Sequence, residues 1–242
     1  MPELLLFQLY GPLASWGEPA VGEYRPSATH PGKSQITGLL AAALGIRRDE
    51  EQRLAGLAQG YGLAVRIDAE GELLRDYHTT QVPPNRRGQQ FHTRKEEMAV
   101  DGLYTILSQR DYRVEAAWTC ALWSRGQAPY TLDALRTALR EPRFALYLGR
   151  KSCPLALPLH PRIIQAGTIK EAFSCYAFDE RLSRHLLHNR DRHRYCWEEP
   201  LPPDLETGFG EAEQLWRVPR NDLPGNRIRW QFAHRDEHQA MA

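Results

Sequence analysis

The sequence predicts an α+β fold in the order βαββαβ, a ferredoxin-like domain with a large insertion and a small, irregular C-terminal lobe. Three observations predict it. Apolar runs of strand length alternate with two segments of helical character. The 242 residues suit one large domain or a domain with an appendage. With 42% apolar residues the chain can bury a core, which excludes a chain disordered throughout.

Residues 3–10 (ELLLFQLY) are apolar and stop at Gly11-Pro12, a buried strand ending in a turn. Residues 17–32 are rich in Gly and Pro and form a loop. Residues 36–46 (ITGLLAAALGI) read as a mostly buried helix with Ser34 as its cap. Residues 61–68 and 72–79 flank a turn at Ala69-Glu70-Gly71 and read as paired strands. Residues 113–124 (RVEAAWTCALWS) form a strand. Residues 131–140 form an amphipathic helix capped by Thr131, with Leu132, Leu135, Ala138 and Leu139 on one face. A final strand runs over 144–148. The topology is that of RNA-recognition modules, so RRM-like describes it equally well. The domain spans 1–79 and 111–165.

Residues 80–101 are too polar for core and form a projection. Residues 166–242 are broken by many prolines and read as a lobe with a frayed tail near Asp236–Gln239. Within it, 181–194 holds five Arg and three His against one acid.

The net charge of +1 excludes a polycation, so a nucleic-acid partner must meet a local patch. Only Lys33, Lys95, Lys151 and Lys170 are lysines. Arg carries the rest of the positive charge and grips phosphate at two points. The cysteines, Cys120, Cys153, Cys175 and Cys196, form no CxxC pair, which argues against a zinc ribbon and fits a reduced, cytoplasmic setting. No apolar run reaches membrane-span length. No cofactor or metal is expected, and no HExxH, GxSxG or GxGxxG motif occurs.

Four segments could bind RNA. His30-Pro31-Gly32-Lys33-Ser34-Gln35 opens the first helix, where free N–H groups and Lys33 would suit phosphate. A solvated cap is the plain alternative. Gly-Lys-Ser is not a P-loop, because Ser27 stands where the first Gly belongs. Tyr147-Leu148-Gly149-Arg150-Lys151-Ser152 offers two cations and a hydroxyl at a strand end, or an ordinary loop. The projection interleaves Arg86, Arg87, His92, Arg94 and Lys95 with aromatic Tyr77 and Phe91, and could track a single strand or stay solvated. Trp16 could stack on a base or pack against a neighbouring loop. His78 could also serve as an acid or base in metal-free RNA cleavage.

Together the segments 11–17 (GPLASWG), 25–27 (RPS) with 31–40 (PGKSQITGLL), 74–79 (LRDYHT) and 142–155 (PRFALYLGRKSCPL) resemble the CasD family, the Cas-five-type subunit of type I-E Cascade. The resemblance covers about the first 165 residues. It implies a thumb over 80–110 and a non-catalytic role holding the 5′ handle of the CRISPR RNA. It also implies contacts with the backbone subunit and the large PAM-reading subunit, with target DNA nearby and no membrane. The residues expected to meet RNA in agreement with it are Trp16, Arg25, His30, Lys33, Ser34, Gln35, Tyr77, His78, Arg86, Arg87, Arg94, Arg110, Tyr147, Arg150, Lys151 and Ser152. Relatives that cleave precursor RNA themselves supply the alternative, a metal-independent endonuclease using His78 or Tyr77 with Lys151.

Overall fold

The computed structural model describes residues 1–20, 22–85, 88–180, 192–210, 213–225 and 231–242. Its strands are β1 (Glu3–Tyr10), β2 (Leu13–Ala14), β3 (Trp16–Gly17), β4 (Tyr24–Arg25), β5 (Ser27–Ala28), β6 (Tyr61–Ala69), β7 (Glu72–Val82), β8 (Tyr104–Val114), β9 (Ala117–Ser124), β10 (Arg162–Gln165), β11 (Arg194–Glu198), β12 (Gln214–Pro224) and β13 (Phe232–Met241). The helices are α1 (Lys33–Leu44), α2 (Glu51–Gly60), α3 (Arg94–Met98), α4 (Leu132–Arg140) and α5 (Ile169–Ser174). None is long and apolar enough to cross a membrane.

A seven-stranded antiparallel sheet in the order β10-β1-β9-β6-β11-β13-β12 forms the body. Strand side chains alternate between faces, and β1 has apolar residues on both. Leu5, Phe7 and Leu9 join one core with Ile36 and Leu40 of α1, Leu57 of α2 and Leu135 of α4. Leu4 and Leu6 join a second core with Ile169 and Phe173 of α5. Covering both faces explains why β1 reads as a continuous apolar run.

Local chemistry sets the helix ends. Thr131 accepts a hydrogen bond from Ala134 N at 3.1 Å, the cap its sequence predicts for α4. Helix α1 begins one residue before Ser34. Gly32 N donates to Gln35 Oε1 and Lys33 N to Asp222 Oδ2, at 3.0 and 2.9 Å. Asp222 approaches so closely that a Cβ on Gly32 would lie 2.0 Å from Oδ2, so any larger residue must displace that carboxylate and its bond to Lys33 N.

Four expectations need correction. Residues 72–79 do not pair with β6, whose edges are taken by β9 and β11; as β7 they pair with β8 over eleven residues of a separate sheet. The 113–124 strand is two strands, parted at Glu115, where φ is +52°. Residues 144–148 are a loop, with Tyr147 bridging Pro154, and the strand beside β1 is β10. The C-terminal third is no irregular lobe, because β11, β13 and β12 extend the main sheet. Asp236–Gln239 lies inside β13, and Glu237 and Gln239 are buried there.

The second sheet orders β2-β8-β4, with β7 on β8. Strands β7 and β8 project as a hairpin whose distal end carries α3, capped by Thr93. Eleven residues per strand give it a reach of about 35 Å.

Candidate nucleic-acid interface

At the hairpin's base four chain segments meet around Asp111. Its side chain is 3% exposed and its carboxylate accepts from Arg75 Nε at 2.9 Å and Arg75 Nη2 at 3.2 Å. Tyr24 donates its hydroxyl to the same carboxylate at 2.6 Å and carries the Arg75 guanidinium over its ring at 4.9 Å. The Arg75 bonds hold the Asp111 carboxyl below the usual carboxylate range, against the opposing effect of burial. The backbone carbonyl of Asp111 accepts from Ser15 Oγ and from Arg150 Nη1, at 3.0 and 3.3 Å. Asp111 therefore joins β7, β8, β4 and the 149–152 loop.

Alternation along β8 puts Arg110 and Tyr112 on the side opposite Asp111. Strand β4 pairs in parallel with β8, setting Arg25 beside Arg110 on that side. Neighbouring strands run about 4.8 Å apart, so two exposed guanidinium stems stand side by side. Neither forms an ion pair among the described residues. Arg25 donates to the carbonyls of Gly22 and Tyr24, at 2.5 and 3.1 Å, and Arg110 donates to Ser108 Oγ at 3.3 Å. Arg150 lies 4.7 Å over the ring of Tyr112 and donates Nη2 to Arg25 O at 3.2 Å. Lys151 and Ser152 follow, both exposed. Gly149 makes the turn into this loop at φ +86°, where a Cβ would lie 1.8 Å from Ser15 O. The acids on this side of the hairpin are Glu72, exposed opposite Val114, and Asp76, opposite Arg110, whose carboxylate pairs with His78 Nε2 at 3.0 Å. Cations thus outnumber acids, an arrangement that attracts phosphate. Further out the same side carries exposed Ile106 and Tyr104.

The predicted RNA residues separate into groups. Arg25, Arg110, Arg150, Lys151, Ser152 and His78 come together at this base. Tyr77 is 57% exposed but faces the Asp111 side, since successive strand residues alternate. Tyr147 is half-buried next to the 149–152 loop. Ser34 and Gln35 are half-buried, and Gln35 is spent on Gly32 N and Gly17 O. Arg94 is exposed at the distal end and is held by Glu97 and the Gln81 carbonyl. Arg86 and Arg87, with 181–191 of the basic segment, lie outside the described residues.

Three residues are withdrawn from solvent. Trp16 is 1% exposed and packs edge-on against Trp118 at 5.1 Å, so its ring has no free face for a base. Lys33 is 3% exposed, with Nζ on Glu198 Oε2 at 2.8 Å and on the Tyr61 carbonyl. His30 is 1% exposed, with Nε2 on Glu237 Oε1 at 2.9 Å. The start of α1 is accordingly filled by protein carboxylates. Asp222 takes the helix N–H that a phosphate would have used, and Arg235 holds Asp222 at 2.6 and 2.8 Å.

Sequence reasoning missed Arg75, Asp111, Tyr24 and Tyr112 as members of this site. The alternation Arg110-Asp111-Tyr112-Arg113 is a strand signal that sorts charge by side, but nothing local says that β7 and β4 flank it.

A family model described as "CRISPR-associated protein (Cas_Cas5)" matches residues 4–236. The "CRISPR system Cascade subunit CasD" of Escherichia coli (strain K12) is 35% identical over 180 residues, 73% of this chain and 78% of that protein. A solved chain of a "CRISPR RNA-guided surveillance complex" shares the fold with a TM-score of 0.61 and 23% identity, covering 98% of this chain and 88% of its own. A "Crystal structure of Cas protein" aligns with a TM-score of 0.59 and 25% identity over 98% and 94%. A match running through both sheets and into β13 leaves no large part of the fold outside it, and the chain belongs to the Cas_Cas5 family of CRISPR-associated proteins.

Proposed function

We propose that the chain is a non-catalytic subunit of a type I-E Cascade complex that binds the 5′ handle of the CRISPR RNA. In this reading it links the backbone filament to the large PAM-reading subunit, in the cytoplasm. Its body is the ferredoxin-like, RRM-like unit: β10-β1-β9-β6 has the 4-1-3-2 strand order of βαββαβ, and the β7–β8 hairpin is the thumb. The resemblance to the Escherichia coli Cascade subunit supports the assembly. The observation that carries RNA binding is Arg25 beside Arg110, with Arg150 and Lys151 adjoining, cations that outnumber the two hairpin acids of that side, Glu72 and the already paired Asp76. Two close like charges repel, and a phosphate oxygen between them relieves the repulsion. The exposed Tyr104 and Ile106 beyond them offer apolar surface for bases.

The endonuclease reading has less support. Tyr77 faces the Asp111 side, away from Arg110, and His78, which shares the Arg110 side, is held by Asp76. Cleavage of repeat RNA by the purified chain in EDTA would restore it.

The test compares wild type with Arg25→Glu/Arg110→Glu, each co-purified with its neighbouring complex subunits, and sequences the bound RNA. Wild type should carry RNAs with one uniform 5′ end. The variant should lose them while keeping the wild-type melting temperature, because neither arginine is buried or paired with an acid. Binding of the isolated handle should lose about 1.4 from its log–log salt slope, two phosphate contacts at about 0.7 each for single strands. Unchanged RNA retention with an unchanged slope would sink the assignment.

A further inference from the structure

A group of side chains beside the start of α1 has no part in the RNA reading. His30 precedes α1, Cys196 lies on β11 and Glu237 on β13, and all three are buried. One imidazole nitrogen, the thiol sulfur and one carboxylate oxygen all lie within 4.8 Å of one another. Among the described residues this is the one cluster of its kind. Cys196 stands opposite Gln239 and Glu237 lies two residues along, so both point to one face of the sheet.

We propose that His30, Cys196 and Glu237 form a buried binding site for one zinc ion, which ties the segment before α1 to strands β11 and β13. Thiolate, imidazole and carboxylate are donors zinc takes, and with three of them from the protein a water would fill the fourth position. Second partners already orient two of them. Thr29 Oγ1 lies 3.1 Å from His30 Nδ1, and Arg235 Nη2 donates to Glu237 Oε2 at 2.9 Å. The nearby cations have carboxylates of their own: Lys33 has Glu198, and Arg235 has Asp222.

The ion competes with the 2.9 Å contact of His30 Nε2 and Glu237 Oε1. On binding, the thiol proton and the His30 Nε2 proton that faces Glu237 both leave to solvent, and the proton on Nδ1 stays, toward Thr29. One thiolate and one carboxylate then balance the two positive charges. Burial pushes the Cys196 thiol up, so the metal-free side chain stays protonated and inert.

The test uses the full chain carrying Cys175→Ala, which removes the exposed thiol. Chelator-treated protein is titrated with Co²⁺ and then Zn²⁺, following the thiolate-to-cobalt absorption band, metal content and melting temperature. The expected result is one metal per chain, a band bleached by zinc, and a raised melting temperature. All three should vanish in Cys196→Ala, which keeps a small apolar side chain. No band in the parent, or a band that survives Cys196→Ala, overturns the site. The parent titration alone decides the matter should Cys196→Ala fail to fold.

Discussion

Lys33 is the residue on which sequence and structure part most sharply, and Lys33→Met tests the difference. The methionine keeps the length of the stem and removes the ammonium. Nζ reaches Glu198 Oε2 at 2.8 Å with both side chains almost fully buried, at 4 and 6% exposure. Removing one partner of such a pair strands the other, at a cost of about 3–5 kcal/mol. Arg125 Nη1 lies 3.2 Å from the same carboxylate oxygen and compensates in part, so the low end, about 3 kcal/mol, applies. At about 2–4 °C per kcal/mol for a chain of this size, the melting temperature should fall by roughly 6–12 °C. Handle-RNA affinity, measured by fluorescence anisotropy below the variant's transition, should stay within about twofold of wild type, since 3% exposure leaves nothing for a phosphate to touch. A variant that melts like wild type but binds RNA tenfold more weakly would refute this reasoning and return Lys33 to the interface.

Two further outcomes follow from the same geometry. Asp111→Asn removes the charge that holds Arg75 and Tyr24; because Arg75 is half exposed the stability loss should be modest, about 1–2 kcal/mol by chemical denaturation. RNA affinity should fall as well, because the weaker bond to Tyr24 loosens β4, which sets Arg25 beside Arg110, and unchanged affinity would separate the hub from the interface. Glu237 makes the fold acid-labile. Burial pushes its carboxyl up, but the charges of His30, Arg220 and Arg235 outweigh that and hold it well below the usual range. A depressed folded value stabilises above the unfolded pKa of about 4.3, and this stabilisation drains as pH falls below it. Melting temperature between pH 5 and 3 should therefore drop more steeply in wild type than in Glu237→Gln, and parallel curves would contradict the assignment.

The elements legible in the sequence are those governed by near neighbours. Residues 3–10 are apolar whichever strand flanks them, and Thr131 caps α4 through a hydrogen bond three residues away. The failures share a different physics. Residues 72–79 were readable as a strand, but their partner lies beyond the distal end of a long hairpin, and pairing across that distance leaves no local mark. Residues 144–148 have strand composition, yet only Leu148 is buried, and the short Arg162–Gln165 takes the place beside β1. Strand β13 looked like a solvated tail because its charge is matched by other charges. Arg235 reaches Asp222 and Glu237, and Glu237 reaches His30, so a polar segment becomes interior. The interface was half legible for the same reason: Arg150-Lys151-Ser152 is contiguous, whereas Arg25 and Arg110 become neighbours only through the parallel β4–β8 pairing.

The attachment of β11 along β6 has a consequence for the order in which the chain is made. When the first 165 residues have left the ribosome, β6 has β9 on one edge and bare amides and carbonyls on the other, and that row is covered only after residues 194–198 emerge. For that interval the nascent protein offers an open template for strand addition, the kind of edge that invites pairing between molecules. A shortened protein ending at Gln165 would carry the same defect permanently. Expression trials on such fragments should therefore yield aggregates, and a fusion partner is better placed in a surface loop than in exchange for the last strands, where Ala242 still bonds to His193 in the ladder.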